Sequence, residues 1–290
     1  MSDSNIHSKH VKESKNIKDG IIDNPWSALR QYTDARIGMG RAGISLPTTE
    51  QLNLKLAHAC AQDAVNQSVD WLRIEQPLLK LGIPILKVNS QVTDRQCYLK
   101  QPDLGRKLNL ESICDLKKWR ATVDDPIDVC IVISDGLSAP AIQQQTQPML
   151  EQIIADLSVI GHQCSVICMV KQGRVAIGDE IAQILNAKFL VVLIGERPGL
   201  TASNSLGIYF TYQARVGFTD AYRNCISNIR PKGLSFADAS RRLVWLINES
   251  NRLKLSGVQL KDDSEIEDRL SRQSNHDQEN FLIPRPTIKS

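Results

Sequence analysis

Ala187 to Leu200, AKFLVVLIGERPGL, constrains the fold of this chain more than any other stretch. Phe189 to Ile194 are consecutive β-prone apolar residues, the signature of a strand buried on both faces. The run stops at Gly195 and delivers Glu196, Arg197, Pro198 and Gly199 into a turn. A strand covered on both sides requires helices above and below it. In an open α/β sheet the crevice outside the carboxyl ends of the strands is where ligands bind. A carboxylate, a guanidinium and a Pro-Gly bend there exceed what a connection needs.

The surrounding pattern fits such a sheet. Asp128–Ser134, Gln163–Val170 and Lys188–Gly195 read as strands, with Leu206–Ala214 as a fourth. Helical periodicity covers Pro140–Ile160, Gly178–Asn186 and Ser235–Leu255. Strands alternating with helices of this length predict parallel β/α units. The expected architecture is α/β, Rossmann-like, with a mostly parallel doubly wound sheet over 123–257. A helical N-terminal part is expected over 25–122, with helices at 25–35, from Pro47 to about Val65, and at 109–120. In that part Ile83–Val88 is a short strand and 96–108 an extended stretch with a turn. Residues 1–24 and 258–290 are polar and pattern-free and are expected to be disordered tails.

Composition removes several function classes. Of 290 residues 42% are hydrophobic and 23% charged, with net charge +3, and no basic stripe of the kind nucleic-acid binders carry is present. Apolar runs stay short of the roughly 18 residues a membrane span needs. The N-terminus has no apolar signal core. Seven scattered cysteines without a C-x-x-C read as reduced, mostly buried thiols. A cytoplasmic setting is expected.

Three strand ends carry chemistry: SDGLSA (134–139), KQGRVAIGDE (171–180) and GERPGL (195–200). In a parallel sheet all three lie on one edge and supply Ser134, Asp135, Arg174, Glu196 and Arg197. Phe218–Leu234 is expected to be a polar loop near that edge, with Arg223, Asn224, Cys225, Ser227, Asn228 and Arg230. Gly38-Met39-Gly40-Arg41-Ala42-Gly43 matches a dinucleotide fingerprint by letter. No strand pattern precedes it, and Pro47 blocks a helix running out of it. A stand-alone dinucleotide-dependent oxidoreductase is therefore the weaker alternative, beside a non-catalytic scaffold subunit. The five histidines are scattered, and no catalytic motif of the hydrolase, P-loop or zinc-protease type occurs. No catalytic residue and no metal site is assigned.

GMGRAG, YLKQPDLGRKL, VISDGLSA, GRVAIGDEI, LIGERPGL, SLGIYFTY and RNCISNIRP stand in this order. That series resembles the small (light) subunit family of ethanolamine ammonia-lyase, over about 25–257. The resemblance implies an adenosylcobalamin-dependent lyase that converts ethanolamine to acetaldehyde and ammonia. It implies a large (heavy) catalytic subunit as partner in a higher-order hetero-oligomer. The small subunit would grip the cobalamin where the two meet and be inactive alone. By motif, the cofactor contacts fall on Val175 of GRV, Glu196 of GERPG and Cys225 of RNCISN. Ser134, Asp135, Gly195, Arg197 and Gly199 rank second, from position alone. No D-x-H occurs, in keeping with base-on cobalamin, as the resemblance implies.

Overall fold

The computed structural model describes residues 24–264, together with the backbone at 17–18 and 21–22. The rest of both expected tails lies outside the described residues. The chain divides into two compact units, one ending at Ala61 and one beginning at Gln62.

In the first unit, short strands β1 (Ile17–Lys18), β2 (Ile21–Ile22) and β3 (Arg41–Ala42) form an antiparallel ribbon. Asn24 caps a 3-10 helix over Pro25–Tyr32, where a short helix was expected. The fingerprint-like loop follows no strand. Gly38, Gly40 and Gly43 all have positive φ, and the next helix, α1 (Thr48–Asn66), begins only after Pro47. Gly38 is pressed against the backbone of Trp26 and Ser27, where a Cβ would meet atoms within 2.9 Å. The loop is a turn packed on its own helix and lacks the setting of a phosphate cradle.

The second unit is built on a six-stranded sheet in the order β4 (Ile85–Asn89), β6 (Cys164–Lys171), β5 (Val129–Ser134), β7 (Phe189–Gly195), β8 (Leu206–Tyr212), β9 (Asn224–Ile229). β4, β6, β5 and β7 are mutually parallel. β8 and β9 are antiparallel to their neighbours, which makes the sheet mostly parallel, as expected. Asn224–Ile229, expected within a loop, is a strand, because Ile226 and Ile229 reach the core while the residues between them stay outside. The stretch at 96–108 is likewise not extended. It forms α3 (Arg95–Lys100), capped by Asp94, and then a 3-10 turn over Leu104–Arg106.

Helices cover both faces. α2 (Trp71–Leu79), α5 (Ala139–Val159) and α7 (Phe236–Leu253) supply Leu78, Ile142, Met149, Ile153, Leu243 and Ile247 to one apolar cluster. α4 (Leu110–Ala121) and α6 (Ile177–Leu185) supply Leu116, Ile177, Ile181 and Leu185 to the other. Every residue of β5 and β7 is buried, as their unbroken apolar runs require. Beyond Gly257 the chain starts out anchored: Leu260 is buried, and its carbonyl accepts from Asn224 Nδ2 at 2.7 Å.

Register sets the strand ends level. Ser134 lies opposite both Val170 and Ile194, and Leu206 lies opposite both Gly195 and Ile229. The turn after β5 seats directly on the end of β7, with Leu137 N–H donating to Gly195 C=O at 2.9 Å. A Cβ on Gly195 would stand 2.3 Å from Ser138 O and 2.7 Å from Asp135 O, both backbone atoms. Gly195→Ala is therefore expected to lower unfolding stability by about 3 kcal/mol through overpacking, read as a fall in urea midpoint at unchanged m-value.

Candidate functional site

The turn after β6 is held from three sides. Tyr98 Oη and Ser134 Oγ both donate to Gly173 C=O, at 3.0 and 2.9 Å. Gly173 N–H donates to Asp135 Oδ1 at 3.2 Å. Arg174 N–H donates to Gly105 C=O at 2.7 Å, and its guanidinium lies 4.1 Å over the Tyr98 ring while donating to Tyr98 C=O at 3.0 Å. Arg95 also lies over the same ring, 4.6 Å from its centre. Gly105 permits this closeness, since a Cβ there would stand 2.9 Å from Arg174 Cγ. YLKQPDLG is thus a clamp on the loop that presents Val175. Val175 is half-buried and borders the apolar cluster beneath α6.

Ser134, Asp135 and Gly195 are spent inside the fold. Ser134 and Asp135 are 0% and 7% exposed and bind the neighbouring turn, Asp135 also bordering a cavity beside Arg95 and Gln172. Burial pushes the Asp135 carboxyl up to about 6, against the opposing pull of Arg95, 3.7 Å away, and of backbone N–H groups. Arg197 is exposed, and Gly199 closes the local turn through its N–H to Ala202 C=O at 2.9 Å.

Glu196 differs from these. It follows the last residue of β7, and its N–H pairs with Ser205 C=O at 3.0 Å. Its carboxylate folds back over β8. There Ser205 Oγ and the Asn228 N–H both donate to Oε2, the second at 3.2 Å. Gly207 lies directly under the carboxylate, where a Cβ would stand 3.0 Å from Oε1. Residues two apart in a strand share a face, so Gly207 and Tyr209 line one shelf. Cys225 is the register partner of Tyr209 across β8–β9 and lies on the same shelf, exposed.

The groups on the shelf are un-ionised donors beside a carboxylate. Burial of its surroundings raises the Cys225 thiol above its ordinary range, a hydrogen bond from Tyr209 opposes the shift, and Glu196 adds to it. Burial, and then Cys225, push the Tyr209 phenol up as well. A raised thiol is a poor nucleophile. A buried ion pair fixes the shelf at its far end: Arg223, just before β9, bonds Asp179 at the start of α6 and reaches Asp220 at 3.2 Å. Arg223 and Asp179 are almost fully buried, whereas Asp220 is exposed.

The structure therefore brings Glu196 and Cys225 together around Tyr209 and sets Val175 along the same apolar cluster. Tyr98, Ser205, Gly207 and Tyr209 were not singled out from the sequence, and Arg223 was named there without its partner Asp179. Gly207 had a usable signal, because a lone glycine inside a strand pattern marks close approach of another group. Among the described residues no cluster of histidine, cysteine or carboxylates could hold a metal ion, and no helix is long and apolar enough to cross a membrane.

Comparison with known proteins adds an independent finding. Residues 23–261 match the family described as "Ethanolamine ammonia-lyase light chain (EutC)". The chain is 49% identical over 253 residues to the ethanolamine ammonia-lyase small subunit of Pseudomonas aeruginosa (strain LESB58), covering 87% of this chain and 93% of that one. It is 46% identical over 261 residues to the protein of the same name from Pseudomonas putida (strain ATCC 47054), covering 90% and 96%.

Two outcomes test the geometry. Arg223→Ala strands a buried carboxylate and should cost about 3–5 kcal/mol of stability in chemical denaturation. Asp135 has a folded value near 6 and an ordinary value of 3.8. The native state thus holds the proton more tightly, and its contribution to stability is complete below about 4 and fades as pH rises to about 6. Asp135→Asn should flatten the stability profile over that window.

Proposed function

The chain belongs to the ethanolamine ammonia-lyase light-chain family, and from that premise we propose that this ammonia-lyase subunit holds adenosylcobalamin on the β7–β8–β9 shelf, facing the large subunit. The observation that carries the reading is the Glu196 carboxylate. It is fixed through Oε2, while Oε1 accepts no hydrogen bond among the described residues, and the residue is only partly buried. A cobalamin carries amide N–H and ribose hydroxyl donors on its periphery, which is the chemistry such an oxygen takes.

The surroundings fit the rest of such a group. Val175 offers an apolar side chain on the rim, able to pack on a macrocycle or a nucleotide base. Cys225, kept as the neutral thiol beside Tyr209, offers a small polarizable contact and no competing nucleophile. His162, the histidine at a strand entrance, bonds Asp128 at 2.9 Å, at the opposite end of the strands from the shelf. No histidine stands in the strand-end turns, and this absence is what the base-on reading rests on. The sheet order, with the chain leaving β5 for one face and β6 for the other, supports the Rossmann-like reading of the domain.

When bound, the cobalamin supplies the radical, through homolysis of its cobalt–carbon bond. This chain's part is placement. The clamp of Tyr98 on the Arg174 loop holds Val175 at a set height above the strand ends. The Ser205 hydroxyl and Asn228 amide hold Glu196. The Asp179–Arg223 pair holds the start of β9 against α6, and with it Cys225. No side chain here is arranged as an acid–base pair for the deamination, so the isolated subunit should show no turnover of ethanolamine.

The test is reconstitution. Wild-type chain mixed with its large subunit and adenosylcobalamin should deaminate ethanolamine. Glu196→Ala should raise the cofactor Kd by about tenfold or more, since a hydrogen bond to a charged group contributes about 1.5–3 kcal/mol. Unchanged cofactor affinity in that variant would remove Glu196 from the site.

A further inference from the structure

Glu196 is a flexible side chain at the end of a strand, yet the fold gives its carboxylate one seat. Two features of β8–β9 make that seat. The first is Gly207. It sits in the interior of β8 with an ordinary strand backbone, so no turn or positive φ requires glycine there. What the missing side chain provides is space, for a Cβ would stand 3.0 Å from Glu196 Oε1, 3.1 Å from Cγ and 3.4 Å from Cδ. Those three atoms define the position of the whole carboxylate.

The second feature is an irregularity opposite that glycine. Leu206 pairs with Ile229, whereas Ile208 pairs with Ile226. Two residues of β9, Ser227 and Asn228, therefore face the single Gly207, which is a β-bulge. Asn228 takes a φ of +61°, in the left-handed region that Asn and Gly tolerate and β-branched residues do not. This turns its N–H out of the ladder and onto Glu196 Oε2 at 3.2 Å. The bulge is tied down behind it: Leu234 N–H donates to Asn228 C=O at 2.8 Å, and Arg230 Nε donates to Asn228 Oδ1 at 3.0 Å.

The geometry points to Gly207 and Asn228 as positioning residues for Glu196, which seat the carboxylate by its Oε2 so that Oε1 is the atom offered to an amide or hydroxyl donor of the cofactor. This rests on the shelf being the cofactor site and adds which atom recognises the ligand and what aims it. Neither residue touches the reacting atoms. Ser205 shares the work at Oε2, and the strand end fixes the backbone of Glu196 itself.

The experiment is a visible-absorbance titration of adenosylcobalamin into the two-subunit complex, with thermal unfolding of each variant alongside. Gly207→Val should raise the cofactor Kd roughly tenfold, matching Glu196→Ala, because both remove the same hydrogen bond. Its unfolding midpoint should hold or rise, since valine suits a strand better than glycine. Gly207→Ala should give a smaller loss in the same direction and serves if Val prevents assembly. Asn228→Val should weaken binding, whereas Asn228→Gly, which keeps both the N–H and the positive φ, should stay within about twofold of the parent. If Glu196→Ala weakens binding while Gly207→Val and Asn228→Val bind like the parent, the positioning role is overturned and the cofactor site stands. Equal loss in Asn228→Gly and Asn228→Val, tracking a loss of thermal stability, overturns it too. Parent-like binding by Glu196→Ala overturns the cofactor site and the positioning role together.

Discussion

Backbone meets backbone at the strand-end edge, and everything presented there depends on that contact. The turn after β5 rests on Gly195 at the end of β7, and Gly173 after β6 receives bonds from Ser134 and Tyr98 while giving one to Asp135. Side chains at Gly195, Gly173 or Gly105 would wedge these turns apart. With the wedge absent, three loops from distant parts of the chain share one rigid rim. Side chains that leave the rim, Val175 and Glu196, inherit its precision. A ligand site assembled this way pays its ordering cost during folding and not at binding.

The polar groups on the inner side of the rim have a different role from those on the outer side. Asp135, Arg95, Tyr98 and Arg174 form a dense internal network whose bonds run mainly to other loops, and it leaves Arg95 Nη2 and Arg174 Nε without a hydrogen-bond partner among the described residues. Asp179 and Arg223 do the same between α6 and β9. Buried networks of this kind add little net stability but tolerate few alternative arrangements. Glu196, Tyr209 and Cys225 are instead only partly enclosed. The division separates groups that hold the site from groups that meet a ligand.

Much of this was legible in the residues. Unbroken apolar runs gave away β5, β6 and β7, because burial on both faces removes the polar alternation that would otherwise blur a strand. The chemistry at their ends was visible for the same reason, as it stands against an apolar background. β9 was not legible: three of its residues, Cys225, Ser227 and Asn228, are exposed, so its composition is that of a loop. The antiparallel direction of β8 was equally hidden, since a buried strand has no sequence signature of direction. α3 was masked by its length of one and a half turns, with only Asp94 to announce it. Tyr98 was missed because its partner lies some 75 residues away, and pairwise fit across such a gap has no local pattern; the lone glycine in β8 did mark a close approach at Gly207, but not that Glu196, 11 residues earlier, was the group approaching.

The bulge at Ser227–Asn228 has a second effect. β9 is the last strand of the sheet, and one side of its backbone has no partner strand among the described residues. An unpaired edge is a template onto which another polypeptide can add by hydrogen bonding. A left-handed residue and an extra residue in mid-strand break the regular spacing of amides and carbonyls that such addition needs. The irregularity that aims a carboxylate thus also guards the sheet against growing, and a substitution that straightened β9 would carry a cost in solubility beside any cost in binding.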